Sequence, residues 1–304
     1  MPSYAGANPI VGIYLGNVKV AEAYLGDTKV FEFSLEDDLV PVTWSGSLTS
    51  FYGQYVWHDG DTIYYSPGNA NYQSVLSDKT NRVWSRKTWN GYTPLNASKI
   101  WTDGTNIYYS DGTAIQRILN KETDTWETIT WNFTDFVGSS VWHDGDTVYL
   151  SSGTNHYVLD KTNRAWVAKT WSGLTNFDGS FIWTDGTDIY YSNWGTQYIL
   201  DRSTSTWNKK TWPTGTLRSF TGGSIWTDGI DIYYSRGSSN TQYKLDRDSM
   251  SFLPKTWTGY DAFDGGKVWT DGYNMYCNSS SSVSYMFTHI HYQGNRLGGV
   301  TGLK

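Results

Sequence analysis

A Trp-x-Asp-Gly motif occurs six times in the chain. Its copies begin at Trp57, Trp101, Trp142, Trp183, Trp226 and Trp269, at intervals of 41 to 44 residues. Each copy has Phe or Leu six residues earlier and Tyr seven residues later. A repeat of this length is typical of proteins in which each unit is one small β or α motif that packs on its neighbours. The repeat therefore predicts six equivalent units in one domain.

Each copy has the pattern of four antiparallel strands. In the second copy, Ser98 to Trp101 forms a short apolar strand, and Asp103-Gly104 suits a tight hairpin turn. Asn106 to Ser110 returns as a Tyr-rich strand, and two further strands follow, the last one carrying Trp. One such sheet cannot bury both of its aromatic faces alone, whereas six sheets arranged radially can. The sequence thus predicts an all-β, six-bladed β-propeller.

A second motif indicates how the ring closes. Thr-Trp ends at Trp44, Trp89, Trp131, Trp171, Trp212 and Trp257, so its first copy precedes the first Trp-x-Asp-Gly and none follows the last. We therefore expect residues 39 to 44 to supply the outer strand of the sixth blade, with Leu39 in the place of Trp166 or Trp207. The predicted organisation is an N-terminal β-hairpin segment over 1–36, the propeller over 37–287 and a tail over 288–304.

The repeat resembles the kelch repeat over roughly residues 39 to 287, in its Asp-Gly corner, its Tyr-rich second strand and its Trp in the fourth strand. Kelch repeats carry two adjacent Gly after the second strand. This chain has one there, at Gly68, Gly112, Gly153, Gly195 and Gly237. The resemblance implies a kelch-like propeller. Because a fold does not by itself determine function, an adaptor that binds another protein stays an alternative.

The first 31 residues contain a smaller doublet, Ile13 to Val20 followed by Ala23 to Val30, and each half has the pattern of two strands around Gly-Asn or Gly-Asp. This segment resembles the N-terminal docking pieces of tailed-bacteriophage structural proteins. The resemblance implies docking to other virion proteins through Tyr14, Leu15, Tyr24 and Leu25, and a place in the phage particle. The alternative is a hairpin that packs on the rim of the propeller.

Composition narrows the partners and the compartment. The formal net charge is -6 and only 17% of residues are charged, which disfavours the clustered Lys and Arg that nucleic acid requires. No apolar run is long enough to span a bilayer, and the first residues lack the pattern of a signal peptide. We expect no nucleic-acid partner, no membrane insertion and production in the host cytoplasm. The single Cys277 excludes an intrachain disulfide and is expected to be a packed thiol.

Candidate binding residues are those that depart from the repeat. Sixteen of the 17 Trp belong to its motifs, and only Trp194 has no counterpart in the other copies. The loops that lead into the inner strands vary between copies and combine aromatic with polar side chains, as glycan recognition requires. The alternative is ordinary solvated loops. The candidates are Trp194, Tyr52, Tyr92, Tyr260, Asn176, Asp178 and Arg218.

The sequence offers little for catalysis. The six Asp-Gly corners are evenly spaced, which favours a role in turn geometry, and His58 and His143 share a repeat position with Thr, unlike a general base. His289 and His291 alternate and could face one metal ion, but two His without a further ligand more often form a polar strand face. We expect no cofactor and a non-catalytic protein that binds a host-surface glycan or protein, with a propeller glycosidase as the less favoured alternative.

Overall fold

The computed structural model describes residues 38–48, 51–68, 73–91, 95–133, 135–213, 217–236, 242–260, 262–278 and 283–288 with their side chains. It also gives the backbone of the short strands before residue 33 and of the last strand as far as His291. Tyr92, the tail after His291 and all side chains of the N-terminal segment lie outside the described residues.

The N-terminal segment forms three two-stranded antiparallel sheets. Their strands are β1 (Tyr4–Ala5) with β2 (Asn8–Pro9), β3 (Ile13–Leu15) with β4 (Val18–Val20), and β5 (Glu22–Leu25) with β6 (Thr28–Glu32). Leu15 pairs with Val18 and Leu25 pairs with Thr28. Both predicted hairpins of the doublet are therefore present.

The rest of the described chain forms six four-stranded blades. A latch strand, β7 (Leu39–Val42), and a short β8 (Ser45–Gly46) precede them. Blade 1 is β9 (Val56–His58), β10 (Ile63–Tyr65), β11 (Gln73–Asp78) and β12 (Val83–Lys87); blade 2 is β13 (Ile100–Thr102), β14 (Ile107–Ser110), β15 (Gln116–Asn120) and β16 (Thr125–Ile129); blade 3 is β17 (Val141–His143), β18 (Val148–Ser152), β19 (Asn155–Asp160) and β20 (Ala165–Ala168). Blade 4 is β21 (Ile182–Thr184), β22 (Ile189–Trp194), β23 (Thr196–Asp201) and β24 (Thr206–Lys209), joined by β25 (Phe220–Thr221); blade 5 is β26 (Ile225–Thr227), β27 (Ile232–Ser235), β28 (Gln242–Asp246) and β29 (Ser251–Lys255); blade 6 is β30 (Val268–Thr270), β31 (Asn274–Asn278), β32 (Ser284–His291) and β7.

A short 3₁₀ turn leads into the inner strand of every blade. The turns are Gly53–Tyr55, Ala97–Lys99, Gly138–Ser140, Gly179–Phe181, Gly222–Ser224 and Gly265–Lys267. Each turn contacts the next, and the sixth contacts the first, so the six blades form a closed ring. The structure is the six-bladed β-propeller that the repeat predicts.

The inner strands begin later than the sequence predicts. Ser98 lies in a 3₁₀ turn rather than in the strand, because the Asn96 side chain accepts a hydrogen bond from the Ser98 backbone N–H at 3.0 Å. Most of these turns start at Gly, since a Cβ there would meet a carbonyl of the preceding blade; at Gly179 it would lie 2.2 Å from the Ser140 carbonyl oxygen. The outer strands likewise end early, as blade 4 shows: its strand stops at Lys209, and Trp212 packs on Trp183 instead of extending it.

The latch strand closes the sixth blade, as predicted. β7 pairs with β32, and Leu39 lies opposite Phe287, in the register that places Trp166 opposite Leu159 and Trp207 opposite Leu200. In this blade the aromatic residue of the pair, Phe287, lies in the third strand, and the aliphatic residue, Leu39, lies in the outer strand. Phe287 supplies the ring that contacts Trp226 of blade 5, with centroids 5.1 Å apart, and Leu39 packs beside it with an exposed fraction of 1%.

Trp44 follows the latch strand and also belongs to the sixth blade. Its ring contacts Trp269 and Tyr276 of that blade, at centroid distances of 5.4 and 5.2 Å. Trp171 makes the equivalent contacts with the Trp and Tyr of blade 3. The Thr-Trp motif therefore has the same structural role in the closing blade as in the others.

The repeated aromatic residues fill the spaces between blades. In each blade the Trp of Trp-x-Asp-Gly stacks on the Tyr seven residues later, with centroids 4.3 to 4.5 Å apart. A ring from the next blade completes the cluster; Trp166 of blade 3, for example, lies 5.6 Å from Trp101 of blade 2. Such pairs combine large apolar burial with favourable ring geometry. The core is thus divided among the blade interfaces.

A buried hydrogen bond orients each inner Trp. The Trp183 indole N–H donates to the Ser192 hydroxyl at 2.8 Å, and the same bond recurs in the other blades nine residues along the chain. In blade 6 the acceptor is the Asn278 side-chain oxygen. Since a buried N–H without a partner is costly, this bond helps to select one orientation of the ring.

Candidate functional site

The strand order gives the ring two different faces. Because the four strands of a blade alternate in direction, the loops into the inner strands and the hairpins between second and third strands lie on one face, here called the loop face. The Asp-Gly turns and the turns between third and fourth strands lie on the other, the corner face. Every loop candidate that the structure describes therefore belongs to the loop face.

The corner-face carboxylates are occupied by the fold. Asp103 Oδ1 accepts hydrogen bonds from the backbone N–H groups of Thr105 and Asn106, and its Oδ2 accepts one from the Tyr108 hydroxyl at 2.8 Å. The equivalent Asp of every blade has the same three kinds of bond. The prediction that these six residues set turn geometry is confirmed.

Two histidines occupy the corner-face position that is Thr in the other four blades. His58 Nδ1 accepts a hydrogen bond from the Gly60 backbone N–H at 3.2 Å, so its ring serves the turn as the Thr hydroxyl does elsewhere. Burial is the main cause that lowers the pKa of His58 and of His143. Nearby Lys side chains lower both pKa values further, and the neighbouring Asp raises each one.

Because of His58 and His143, we expect the folded protein to lose stability on mild acidification. Their pKa is lower in the folded protein than the ordinary 6.5, so below about pH 6.5 the unfolded chain binds protons that the folded protein does not. The stability that the two neutral histidines contribute should be fully present above that pH and should decrease as the pH falls through it. We expect the variant His58→Thr/His143→Thr to lose less of its melting temperature than the wild type between pH 7.5 and 5.5. Equal losses in the two proteins would contradict this assignment.

The loop-face candidates are in different surroundings. Asn176 and Arg218 are exposed, and Arg218 Nε donates to the Pro213 carbonyl at 3.3 Å. Asp178 caps a 3₁₀ turn: its Oδ1 accepts from the Ser180 backbone N–H at 2.7 Å and from the Ser140 hydroxyl at 3.3 Å. One of its oxygens is therefore already engaged by the fold.

Two Tyr candidates are also partly engaged. Tyr260 donates its hydroxyl to the Ala262 carbonyl at 2.8 Å, and its ring lies flat on Tyr285 with centroids 4.2 Å apart. Tyr52 is half-buried and contacts Tyr55 edge-on. These two side chains lie in the loops into blades 1 and 6, whereas Trp194 lies in the hairpin of blade 4.

Trp194 is the most unusual residue of the loop face. Its side chain is 46% exposed and its φ is +52°, in the left-handed region that bulky residues rarely adopt. Alignment on the inner Trp shows the reason: Trp194 occupies the turn position that is Gly153 in blade 3 and Gly112 in blade 2. No other copy carries an aromatic residue at this position, but the repeat Gly corresponds to Trp194 itself and not, as predicted, to Gly195. A large aromatic has replaced the glycine of a tight turn.

Backbone pairing holds this turn in place. Trp194 pairs with Phe220 and Asn193 pairs with Thr221, so β25 ties the blade 4 hairpin to the loop that enters blade 5. The Gln197 side-chain amide donates to the carbonyls of both Trp194 and Phe220. The Trp194 ring is consequently presented at the boundary between blades 4 and 5 by a fixed backbone.

Arg236 of blade 5 contacts this ring. Its guanidinium carbon lies 5.0 Å from the centre of the Trp194 ring, within the range of a cation–π interaction, and its side chain is exposed. Arg236 was not among the candidate residues predicted from the sequence. Its signal was present, because the same repeat position is Pro67, Asp111, Ser152 or Asn193 in earlier blades and becomes cationic only next to Trp194.

The described residues contain no group of three or more His, Cys, Asp or Glu that could hold a metal ion. The side chains of His289 and His291 are not among them, although both residues lie in β32. In the same part of the chain, no helix is long and apolar enough to cross a membrane. Cys277 is fully buried in β31, and burial raises the pKa of its thiol.

Comparisons with known proteins bear on the fold alone. No protein-family model and no curated protein matches the chain. The solved structure of YjhT is similar to it with a TM-score of 0.54 and 12% sequence identity, over 79% of this chain and 95% of YjhT. An extracellular domain from the B. thetaiotaomicron protein BT4673 is similar with a TM-score of 0.51 and 13% identity, over 81% of this chain and 39% of that one. The chain therefore shares a propeller-like fold with these two proteins, at identities too low to transfer a function.

Proposed function

We propose that this protein is a non-catalytic binding component of a bacteriophage virion, and that its loop face recognises a glycan on the host surface. The N-terminal segment attaches it to other virion proteins, and the kelch-like propeller presents the recognition surface. The position of Trp194 is the observation that carries the proposal. A Trp in a left-handed turn position costs about 1–3 kcal/mol relative to a residue that tolerates it, and such outliers cluster at functional sites.

Trp194 has the properties that a sugar requires. An exposed indole offers a flat apolar surface on which the C–H face of a sugar ring can stack, and its rigid backbone reduces the entropy lost on binding. The exposed amide of Asn176 and the guanidinium of Arg218 are hydrogen-bonding groups on the same face. The non-catalytic assignment is supported by the engagement of the six corner Asp and of His58 in turn hydrogen bonds.

Replacing Trp194 with Gly should separate binding from folding. We expect Trp194→Gly to lose glycan and host-cell binding by at least tenfold while the free energy of unfolding changes by less than about 1 kcal/mol, because relief of the positive φ offsets the lost contacts. Binding is measured on a glycan array and on host cells with the labelled protein. The exposed Tyr273 on the corner face provides the matched control, since Tyr273→Ala removes an exposed aromatic of the opposite face.

The virion assignment has its own test. The tandem hairpins β3–β4 and β5–β6 support a docking segment, with Tyr14, Leu15, Tyr24 and Leu25 on their strands. Purified particles from a lysate of the producing host are probed with an antibody against the propeller and imaged. Stoichiometric labelling of particles is the expected result. Particles that lack the protein, in a lysate that contains it free in solution, would refute this part of the proposal.

A further inference from the structure

We propose that the boundary between blades 4 and 5 selects an anionic saccharide, whose carboxylate or phosphate group pairs with Arg236 while a sugar ring lies against Trp194. This inference rests on the proposed glycan recognition and adds the charge of the ligand. The site is defined by Trp194, Arg236 and Arg218.

The contact with Trp194 does not occupy the hydrogen-bond donors of Arg236. Its guanidinium carbon lies within cation–π distance of the ring, and a guanidinium carries its five N–H donors in its own plane. In the part of the chain that the structure describes, Arg236 makes no ion pair and donates no hydrogen bond, and it contacts the ring of Trp194. A planar fork of donors in this state matches a carboxylate or a phosphate, which it can bind through two parallel hydrogen bonds.

A second cation lies on the loop whose backbone pairs with Trp194. Arg218 is exposed on the loop into blade 5, two residues before Phe220, which pairs directly with Trp194. Its Nε is engaged by the Pro213 carbonyl, which holds the side chain in place. These two cations belong to a protein whose overall formal charge is -6.

Asp264, an acidic residue near this boundary, is partly engaged by the fold. Asp264 and Arg236 both affect the pKa of the buried Tyr234 hydroxyl. Burial is the main cause that raises this pKa, the charge of Arg236 lowers it and the charge of Asp264 raises it. One Asp264 oxygen, Oδ1, accepts from the Gly266 backbone N–H at 2.8 Å and from the Ser224 hydroxyl at 3.2 Å. Asp264 therefore caps the turn into blade 6, and Arg236 is left to an incoming anion.

The test compares charged probes with their neutral counterparts. Oligosaccharides that carry uronic acid, sialic acid or glycerol phosphate are immobilised beside the carboxyl-reduced or phosphate-free forms, and binding of the full chain is measured. We expect at least one charged probe to bind tenfold or more tightly than its counterpart. Arg236→Gln should remove that preference, so that charged probes and their neutral counterparts bind equally, and Trp194→Gly should abolish the binding of both. Arg202→Gln, an exposed Arg on the corner face, serves as the matched control and should behave as the wild type.

The outcomes distinguish this inference from the proposed function. Equal binding of charged and neutral probes, or a preference that persists in Arg236→Gln, would overturn anion selection while leaving glycan recognition through Trp194 in place. Loss of the preference in Arg202→Gln as well would show that general charge, and not this site, is responsible, and would also overturn it. If no probe and no host cell is bound, glycan recognition and anion selection both fail.

Discussion

A chain that lacks residues 1–44 is expected to lose the closed propeller, whereas a chain that lacks only residues 1–36 keeps it. The longer truncation removes β7, so β32 loses its antiparallel partner. It also removes Leu39, which is 1% exposed among the rings of Trp226, Trp257 and Phe287, and Trp44, which packs on blade 6. Removal of a buried Leu side chain costs about 2–5 kcal/mol of folding free energy, and removal of a buried Trp side chain costs about 3–5 kcal/mol. Together these costs approach the whole stability of a typical domain.

The two truncated chains are compared by thermal unfolding followed in near-ultraviolet circular dichroism, and by size-exclusion chromatography. We expect a cooperative transition and a compact monomer for the shorter truncation only. In the full-length chain, Leu39→Ala should lower the free energy of unfolding by about 2–5 kcal/mol, and the exposed Thr43→Ala by no more than about 0.5. Equal stability of both truncated chains would show that the ring closes without the latch.

The second large effect is expected at the blade interface, where Trp207→Ala should cost about 3–5 kcal/mol of stability. Trp207 is 1% exposed and contacts Trp142 of the preceding blade together with Phe177. Its indole N–H has no hydrogen-bond partner among the described residues, so the side chain contributes through its volume. Blade 5 carries Phe252 at this position, and Trp207→Phe should therefore be tolerated much better than Trp207→Ala.

Trp183→Phe provides the contrast. This ring is equally buried but its N–H donates to Ser192, so the same substitution also leaves a buried hydroxyl without its donor. We expect Trp183→Phe to cost about 1–3 kcal/mol more than Trp207→Phe. Denaturant unfolding measures both, and equal costs would mean that the Trp–Ser bond contributes nothing to stability.

The blade count and the latch could be predicted because each rests on chain order. The motif positions count the blades, and a Thr-Trp that precedes its partner motif requires a strand at the beginning of the chain to complete a blade at the end. Burial favours the same pairing, since the strand Leu39–Val42 must pair with another strand and cover its apolar side chains. The 3₁₀ turns were missed because they depend on the close approach of Gly179 to the Ser140 carbonyl of another blade, which sequence spacing does not reveal.

The sequence by itself determined that the chain has six units, which residues form their aromatic interfaces and which segment closes the ring. All three follow from a repeated pattern in which the first Thr-Trp precedes the first Trp-x-Asp-Gly. It also singled out Trp194, but assigned it the wrong position in its turn. Only the tertiary structure decided that Trp194 occupies a glycine's left-handed position and that Arg236, 42 residues away in the next blade, lies over its ring. The physical reason is that backbone conformation and contacts between blades depend on strand register and on the rotation from one blade to the next. The order of residues within a single repeat does not specify the register or the rotation.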